Sequence, residues 1–407
     1  MSEIDLIQHD LPSTYYLVDV GALRARCRSL KEGFERHFDD VAIAYSYKTN
    51  YFPSVIRTMN TCGVWAEVVS SLEYDLARRI GVPSERIIFN GPIKSDDALL
   101  GALSGNSRLH LDSVEEAERL TVLAQEAGVR DGSIGLRINV AHPEGEGHRA
   151  RSRFGIPIES VEAVTRRLRE VGLDVRGVHA HLATKERSLE HFEGLVAQLG
   201  EAIKLIGADE IEWIDVGGGF GFTPPDLDGR SYPSFEEYAG GIRAALDAID
   251  PCLASRQLVI EPGMVMVNDA VRFLTRVETT KTVGDRRLAF LDASIQTVKP
   301  TRHGMNLPTR VFDSNGREKI GNEEAWDLVG YTCMDDDFIA IDDRVPALEA
   351  GDRIEFKHVG AYTAVFKPRF IRSMPAVWAI DGSRLYEDAH EESFDEFLQS
   401  FDLGDPA

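Results

Sequence analysis

The chain has 407 residues and a formal net charge of −22, from 45 lysines and arginines against 67 aspartates and glutamates. Its composition, 43% hydrophobic and 28% charged, is typical of a globular protein with a sizeable core. No basic cluster stands out, so we expect neither nucleic acid nor an anionic membrane as a partner. The N-terminus is polar and no run reaches about 18 apolar residues, so we expect no signal peptide and no membrane span.

The four cysteines, Cys27, Cys62, Cys252 and Cys333, are scattered along the chain. They show no CxxC or metal-ligand spacing, and we predict no metal site from them. Reduced thiols in a cytoplasmic protein are the simplest interpretation.

Short apolar runs alternate with amphipathic segments through the first two thirds of the chain. The candidate strands are VAIAYSY (41–47), GVWAEVV (63–69), RIIFN (86–90), RLHLD (108–112), IGLRINV (134–140), DVRGVHAHL (174–182), IEWIDV (211–216) and QLVIEP (257–262). Helical patterns lie between them, one of which opens with a predicted capping box from Ser113 to Glu116. Eight strands alternating with helices predict an α/β fold with a (β/α)8 TIM-like barrel. A doubly wound open sheet remains the alternative, although no GxGxxG follows the first strand.

After about residue 268 the pattern changes to short β-like runs separated by turns, with little helical periodicity. We therefore predict a barrel over residues 31–268 and a β-rich domain over residues 269–407 with an acidic C-terminal tail. Residues 1–30 are expected to join the β-rich domain.

In such a barrel, chemistry lies where strands end and loops begin. Those positions hold Lys48, Glu67, Asn90, Arg137, His181, Gly217–Gly218–Gly219 and Glu261. Alone, each has an ordinary structural explanation, such as a lysine paired with a carboxylate or a glycine turn after a strand. Together, an amine that can form a Schiff base, a glycine loop for a phosphate and a carboxylate for a pyridinium N–H predict pyridoxal 5′-phosphate (PLP) as cofactor.

On these motifs the chain resembles, over nearly its whole length, the fold-type III PLP-dependent decarboxylases, the family of diaminopimelate, ornithine and carboxynorspermidine decarboxylases. The family's YAxKAN appears as YSYKTN, which implies that Lys48 is the Schiff-base lysine. AEVVSSLE has Glu67 where the family usually has aspartate. HxHxGS appears as HAHLAT, which implies a ring-stacking role for His181 and a phosphate-side hydroxyl on Thr184.

Further motifs extend the resemblance to the second domain. GGGFG supplies the phosphate loop, and EPGR appears as EPGM, with Glu261 as the pyridinium partner and Gly263 beside it. The GAY motif is intact and adds Tyr362 to the cofactor-binding residues, with which we also count Arg137. GPxCxxxD appears as GYTCMDDD (330–337).

The resemblance also implies a homodimer with active sites at the interface, in which the loop of one subunit enters the site of the other. Cys333 and Asp337 would then act in trans. Cys333, or Lys48 on the opposite face, would return a proton to Cα.

Departures from the family bear on the substrate. Met264 replaces the arginine of EPGR, Tyr331 replaces a proline, and Met334 follows the cysteine where enzymes that recognise a distal amine usually have an acid. The segment 292–304 offers cations suited to a distal carboxylate, or able simply to pair with the acidic surface. The candidate substrate residues are Lys299, Arg302, His303, Met334, Asp335 and Asp337.

These features predict decarboxylation of an L-amino acid or amino-acid conjugate with a distal carboxylate, as in siderophore or antibiotic biosynthesis. The alternatives are a diaminopimelate or ornithine/lysine-type decarboxylase, a racemase on the same barrel, and a non-catalytic member of the family.

Overall fold

The computed structural model describes residues 11–142, 150–182, 187–221 and 230–402. After strand β1 (Tyr15–Asp19) and helix α1 (Val20–Glu35), eight parallel strands close into a barrel. In order around the barrel they are β2 (Val41–Ser46), β3 (Trp65–Val68), β4 (Ile87–Phe89), β5 (Arg108–Leu111), β6 (Ile134–Arg137), β7 (Val175–His179), β8 (Trp213–Asp215) and β9 (Gln257–Ile260). The predicted (β/α)8 barrel is confirmed, with each strand shorter than its apolar run.

Helices connect the barrel strands. They are α2 (Pro53–Thr61), α3 (Ser71–Arg79), α4 (Asp96–Ser104), α5 (Val114–Ala127), α6 (Val161–Arg169), α7 (Leu189–Ile206) and α8 (Phe235–Ile249). The Ser113 hydroxyl caps α5 as predicted, and Gly128 ends it in the left-handed conformation at φ 70°. The predicted capping box is incomplete, because the Glu116 carboxylate accepts from Asp112 N at 2.9 Å and pairs with the buried Lys94 ammonium at 3.0 Å.

The second domain is built on a mixed sheet that confirms the predicted β-rich domain. Its remaining elements are α9 (Met264–Val267), β10 (Val271–Val283), β11 (Arg286–Leu291), α10 (Ile295–Val298), β12 (Thr309–Phe312), β13 (Glu323–Val329), β14 (Phe338–Pro346), β15 (Arg353–Phe356), β16 (Ala376–Asp381), β17 (Arg384–Ala389) and α11 (Phe394–Leu398). Strand β1 runs antiparallel to β10 and parallel to β16, so residues 15–19 belong to this sheet. In the described residues, no helix is both long and apolar enough to cross a membrane.

The barrel interior is filled by aromatic and polar side chains in layers. Near the start of the strands, the Arg108 guanidinium lies 4.5 Å from the ring centroids of both Trp65 and Trp213. One layer higher, the imidazoles of His110 and His179 stack with their centroids 4.9 Å apart. The next layer, at the strand ends, is the candidate active site.

Two glycines make room for these large rings. A Cβ atom on Gly177 would lie 2.1 Å from Trp213 Nε1, and one on Gly135 would lie 2.5 Å from His110 Cδ2. Both glycines lie on barrel strands, so their role is to let bulky side chains from neighbouring strands cross the interior.

Candidate active site

Lys48 lies in a short 3-10 turn (Tyr47–Thr49) directly after β2. Its ammonium pairs with the Glu67 carboxylate at the end of β3 and lies 3.4 Å from Ser46 Oγ. Burial lowers the pKa of Lys48, but the charges of Glu67 and Glu261 outweigh that effect and the net pKa is raised. Lys48 is therefore an ammonium ion in this geometry.

Asn90, directly after β4, links the two carboxylates of the site. Its Nδ2 donates to Glu67 Oε1 at 3.1 Å and to Glu261 Oε1 at 2.5 Å. All three side chains are buried, with the Glu261 residue only 4% exposed. Buried carboxylates are costly unless they are hydrogen-bonded, and one amide satisfies both here.

His110 and Trp213, in the next layer of the barrel interior, fix the orientation of the Asn90 amide. Trp213 Nε1 lies 3.2 Å from His110 Nε2, and an indole N–H can only donate. His110 Nε2 must therefore accept, so the ring proton is on Nδ1 and donates to Asn90 Oδ1 at 2.7 Å. With its oxygen held by His110, Asn90 must direct its NH2 group at the carboxylates.

A four-residue cluster lies under the carboxylates: possible ligand atoms of His110, His179, Asp215 and Glu261 all fall within 4.8 Å of one another. The spacing would suit a metal ion, but the two ring nitrogens of His110 are already used in hydrogen bonds. Burial lowers the pKa of both histidines well below the ordinary value, so they are neutral. Burial, followed by the nearby Glu261, raises the pKa of Asp215 well above its ordinary range, which favours the protonated form of that carboxyl.

His181 lies beside the glycine loop that follows β8. Its Nδ1 accepts from the Gly218 backbone N–H at 3.0 Å, which leaves the ring proton on Nε2. Burial lowers the pKa of His181 to about 3, so the imidazole is neutral. Gly217 has φ 67°, and a Cβ there would lie 2.7 Å from His181 Nδ1, so both its conformation and the close approach require glycine.

These groups border a cavity of about 190 Å³. It is lined by Ser46, Lys48, His181, Arg187, Gly218, Gly219, Phe220, Glu261, Gly263, Met264, Val265 and Tyr362. A Cβ on Gly263 would come within 2.4 Å of Thr49 Oγ1, a buried hydroxyl for which the described residues supply no hydrogen-bond partner. An amine, a buried carboxylate, a neutral imidazole and glycine backbone around one small cavity fit PLP.

Other predicted cofactor residues have different surroundings. Arg137 is buried, donates to Asp112 Oδ1 at 3.1 Å and lies 4.4 Å from the Phe154 ring centroid. Tyr362 lines the cavity and its backbone N–H donates to Thr49 O at 3.0 Å. Thr184 lies outside the described residues.

The predicted substrate cations do not line this cavity. Lys299 Nζ donates to the backbone oxygens of His303 and Met305, at 3.3 and 2.5 Å, and burial lowers its pKa to about 8. Arg302 donates to Asn268 Oδ1 at 2.7 Å and to backbone oxygens. The His303 side chain is exposed.

The predicted loop between β13 and β14 splits into an exposed and a buried part. Cys333, Met334 and Asp335 are exposed, whereas Asp337 is only 4% exposed. The Asp337 carboxylate accepts from Ile295 N at 2.7 Å and Thr332 Oγ1 at 2.6 Å, which ties the loop to α10. In the single chain, this arrangement leaves the Cys333 thiol on the surface.

Sequence reasoning missed several residues of the site. It located Asn90 at a strand end without giving it a role, and it did not find His110, Trp213 or Arg187. The alternation in RLHLD could have indicated that His110 points inward like Arg108. No strand-end rule points to Arg187, which lies in a loop far from the end of its strand.

Comparison with known proteins identifies the class. The family described as pyridoxal-dependent decarboxylase, pyridoxal binding domain, matches residues 20–268, more than half of the chain, and the chain belongs to it. The predicted family and cofactor are thus confirmed: the protein is a PLP-dependent amino-acid decarboxylase.

Individual proteins similar to this chain include diaminopimelate decarboxylases from several organisms. A diaminopimelate decarboxylase of Pseudomonas aeruginosa is 30% identical over 365 residues, covering 87% of this chain and 85% of that protein. One of Archaeoglobus fulgidus is 27% identical over 380 residues, covering 90% and 88%. The solved structure of diaminopimelate decarboxylase from Helicobacter pylori complexed with L-lysine has a TM-score of 0.85 at 24% identity, covering 97% of this chain and 98% of that one.

Proposed function

We propose that this decarboxylase acts on diaminopimelate, an amino acid that carries a distal carboxylate as well as a distal amine. The observation that carries the proposal is the relationship to curated diaminopimelate decarboxylases, up to 30% identical over most of both chains. The distal carboxylate expected from the sequence is compatible with this substrate. The relatives give no support to the siderophore or antibiotic conjugates that were also expected from the sequence.

Glu261 supports decarboxylation over racemisation. When bound, PLP accepts the electron pair left on Cα after a bond to that carbon breaks. An anionic side chain facing the ring nitrogen favours its protonated form, in which the ring is the better electron acceptor. Asn90 holds Glu261 in this position through a hydrogen bond of 2.5 Å.

Lys48 would hold the cofactor through its amine, which must lose its proton to do so. Its partner Glu67 is the nearest group able to take that proton, because the two side chains form an ion pair.

His181 is suited to packing against the face of the ring. Its imidazole is neutral, and the Gly218 N–H holds Nδ1, so the ring plane is fixed and no proton is exchanged at neutral pH. We therefore assign His181 a positioning role rather than acid–base catalysis.

Cys333 is proposed to serve the active site of a second subunit. The thiol is exposed in the single chain, as a group that enters a partner's site would be. Mixing Lys48→Ala with Cys333→Ala subunits tests this, because random pairing restores one complete site in half of the dimers, or about a quarter of wild-type activity. No recovery on mixing two folded variants would rule out the exchange.

A second candidate substrate is an amino acid with a distal carboxylate and no free distal ammonium. Met334 favours it, because this side chain is 38% exposed beside Cys333 and has no charge to pair with an amine. The neighbouring Asp335 is exposed and could supply that charge for diaminopimelate instead.

The deciding experiment measures CO2 release from diaminopimelate, lysine, ornithine and N-acylated diaminopimelate. We expect diaminopimelate to have the highest kcat/KM of these compounds. Met334→Glu should raise the kcat/KM for diaminopimelate by about tenfold, because the new carboxylate can pair with the distal amine. Met334→Gln is the uncharged control. Preference for the acylated compound would support the second candidate. Preference for ornithine or lysine would contradict both.

A further inference from the structure

Arg187 is a cation in the cofactor cavity that the strand-end motifs do not include. It lines the cavity together with Lys48, the glycine loop and Met264, and its side chain is half-buried. We propose that Arg187 binds the 5′-phosphate of the cofactor and supplies the positive charge that this chain lacks at position 264. The inference rests on the cofactor orientation proposed above, and it does not depend on the substrate.

The orientation leaves one end of the cavity for the phosphate. If the ring nitrogen faces Glu261 and the carbonyl carbon faces Lys48, the phosphate must reach the remaining lining. That part consists of the glycine loop, Gly263, Met264, Tyr362 and Arg187. Arg187 is the cation of this group, and a guanidinium can bind two phosphate oxygens at once.

The contacts of Arg187 hold its guanidinium against this end. NH1 donates to Phe220 O in the glycine loop at 2.9 Å, and NH2 lies 3.9 Å from Met264 Sδ. The Arg187 guanidinium thus lies between the glycine loop and Met264, so its charge is next to a position that has no cation of its own.

The backbone of Arg187 is built into the same loop. Tyr238 is fully buried, and its hydroxyl donates to Arg187 O at 2.5 Å while accepting from Gly221 N at 3.0 Å. Arg187 has φ 50°, a conformation that non-glycine residues adopt rarely and that often marks functional sites. One phenol thus fixes Arg187 and the glycine loop relative to each other.

A second guanidinium lies close to this end. Burial, and then the charge of Arg187, lowers the pKa of Arg302, which donates to Ala361 O beside Tyr362. A phosphate bound at this end of the cavity would be attracted by both guanidinium charges.

The test compares PLP with pyridoxal, which lacks the phosphate. Full-length protein freed of cofactor is titrated with each compound, and binding is followed by the visible absorbance of the lysine-bound cofactor. We expect Arg187→Met to weaken PLP binding by about 10- to 100-fold, the loss of one charge-assisted contact, and to leave pyridoxal binding within about twofold. Arg166→Met, which removes an exposed charge from α6, is the matched control and should change neither.

The double variant Arg187→Met/Met264→Arg gives an independent check, because it moves the positive charge from position 187 to position 264. Its PLP affinity should be about tenfold higher than that of Arg187→Met alone. Equal weakening of PLP and pyridoxal, or no change in either, overturns the proposal. Arg187→Lys repeats the comparison with the charge kept, in case Arg187→Met does not fold. A wrong cofactor orientation would show itself separately, since Lys48→Ala would then keep the visible absorbance.

Discussion

Replacing Asn90 by leucine tests the central link of the active site. The two side chains have similar size, so the substitution removes the amide with little change in packed volume. Glu67 and Glu261 lose their shared donor, and His110 Nδ1 loses its acceptor. Glu261, which we propose to face the ring nitrogen, is then free to turn away.

The magnitude follows from the two hydrogen bonds of 2.5 and 3.1 Å to charged acceptors. Each such bond contributes about 1.5–3 kcal/mol, and in the proposed cofactor orientation only the bond to Glu261 acts on the ring nitrogen. Since about 1.4 kcal/mol corresponds to a tenfold change in rate, kcat should fall by about 10- to 100-fold. The free energy of unfolding should fall by about 3 kcal/mol, because both carboxylates stay buried without their donor.

The assay is CO2 release at saturating substrate, with the absorbance spectrum of the bound cofactor recorded in parallel across pH. A displaced Glu261 lowers the pKa of the ring nitrogen, so the pH dependence of the spectrum should shift in Asn90→Leu. Gln257→Leu is the control: it removes an amide–carboxylate bond of 2.7 Å to Asp40 at the opposite end of the barrel. It should leave kcat and the spectrum unchanged.

A kcat within about threefold of wild type, with an unshifted spectrum, would contradict the assignment, because the predicted loss is at least about tenfold. A variant that is less stable but equally active would mean that Asn90 only supports the fold.

Two further predictions concern stability. The Glu73 carboxylate accepts a hydrogen bond from Val69 N at 2.8 Å, and burial raises its pKa from 4.5 to about 7. Between these two pH values the folded protein holds a proton that the unfolded chain releases. The free energy of unfolding therefore falls as the pH rises from about 4.5 to about 7. In urea unfolding, Glu73→Gln should be more stable than wild type by up to about 3 kcal/mol at pH 8 and equally stable at pH 4. A difference in stability that does not change with pH would contradict this prediction. Gly177→Ala should lose about 2–3 kcal/mol in the same assay because its methyl group overlaps the buried Trp213 indole. Gly194→Ala in α7, where a Cβ meets nothing within 4 Å, should gain slightly, and equal effects of the two alanines would refute the packing argument.

The barrel was predictable because each strand is an apolar run bounded by turns and helix caps, and parallel strands bring their carboxyl ends to one face. Lys48 and Glu261 could be found from that rule alone. The strands end earlier than their apolar runs, as at residues 138–140 after β6, because the barrel needs only a few residues of each strand for pairing.

The connections within the site could not be predicted, because they join residues far apart in sequence. Asn90 and Glu261 are separated by 171 positions, and nothing local indicates that they touch. Arg187 follows neither strand nor helix periodicity. Lys299 and Arg302 lie in a suggestive cationic segment, yet their contacts with backbone oxygens depend on how that segment folds back, which charge alone does not indicate.

The hydrogen-bond chain from Trp213 through His110 and Asn90 to Glu261 also limits how this enzyme could acquire a new reaction. A cationic side chain at position 261 would face the Asn90 NH2 group, donor against donor. Reversing the amide would turn a donor toward His110, whose other nitrogen must keep accepting from the indole. Replacing Glu261, the anion proposed to face the ring nitrogen, by a cation therefore requires coordinated substitutions on β5 and β8 and after β4 and β9. Single substitutions are then not expected to convert this enzyme into a racemase.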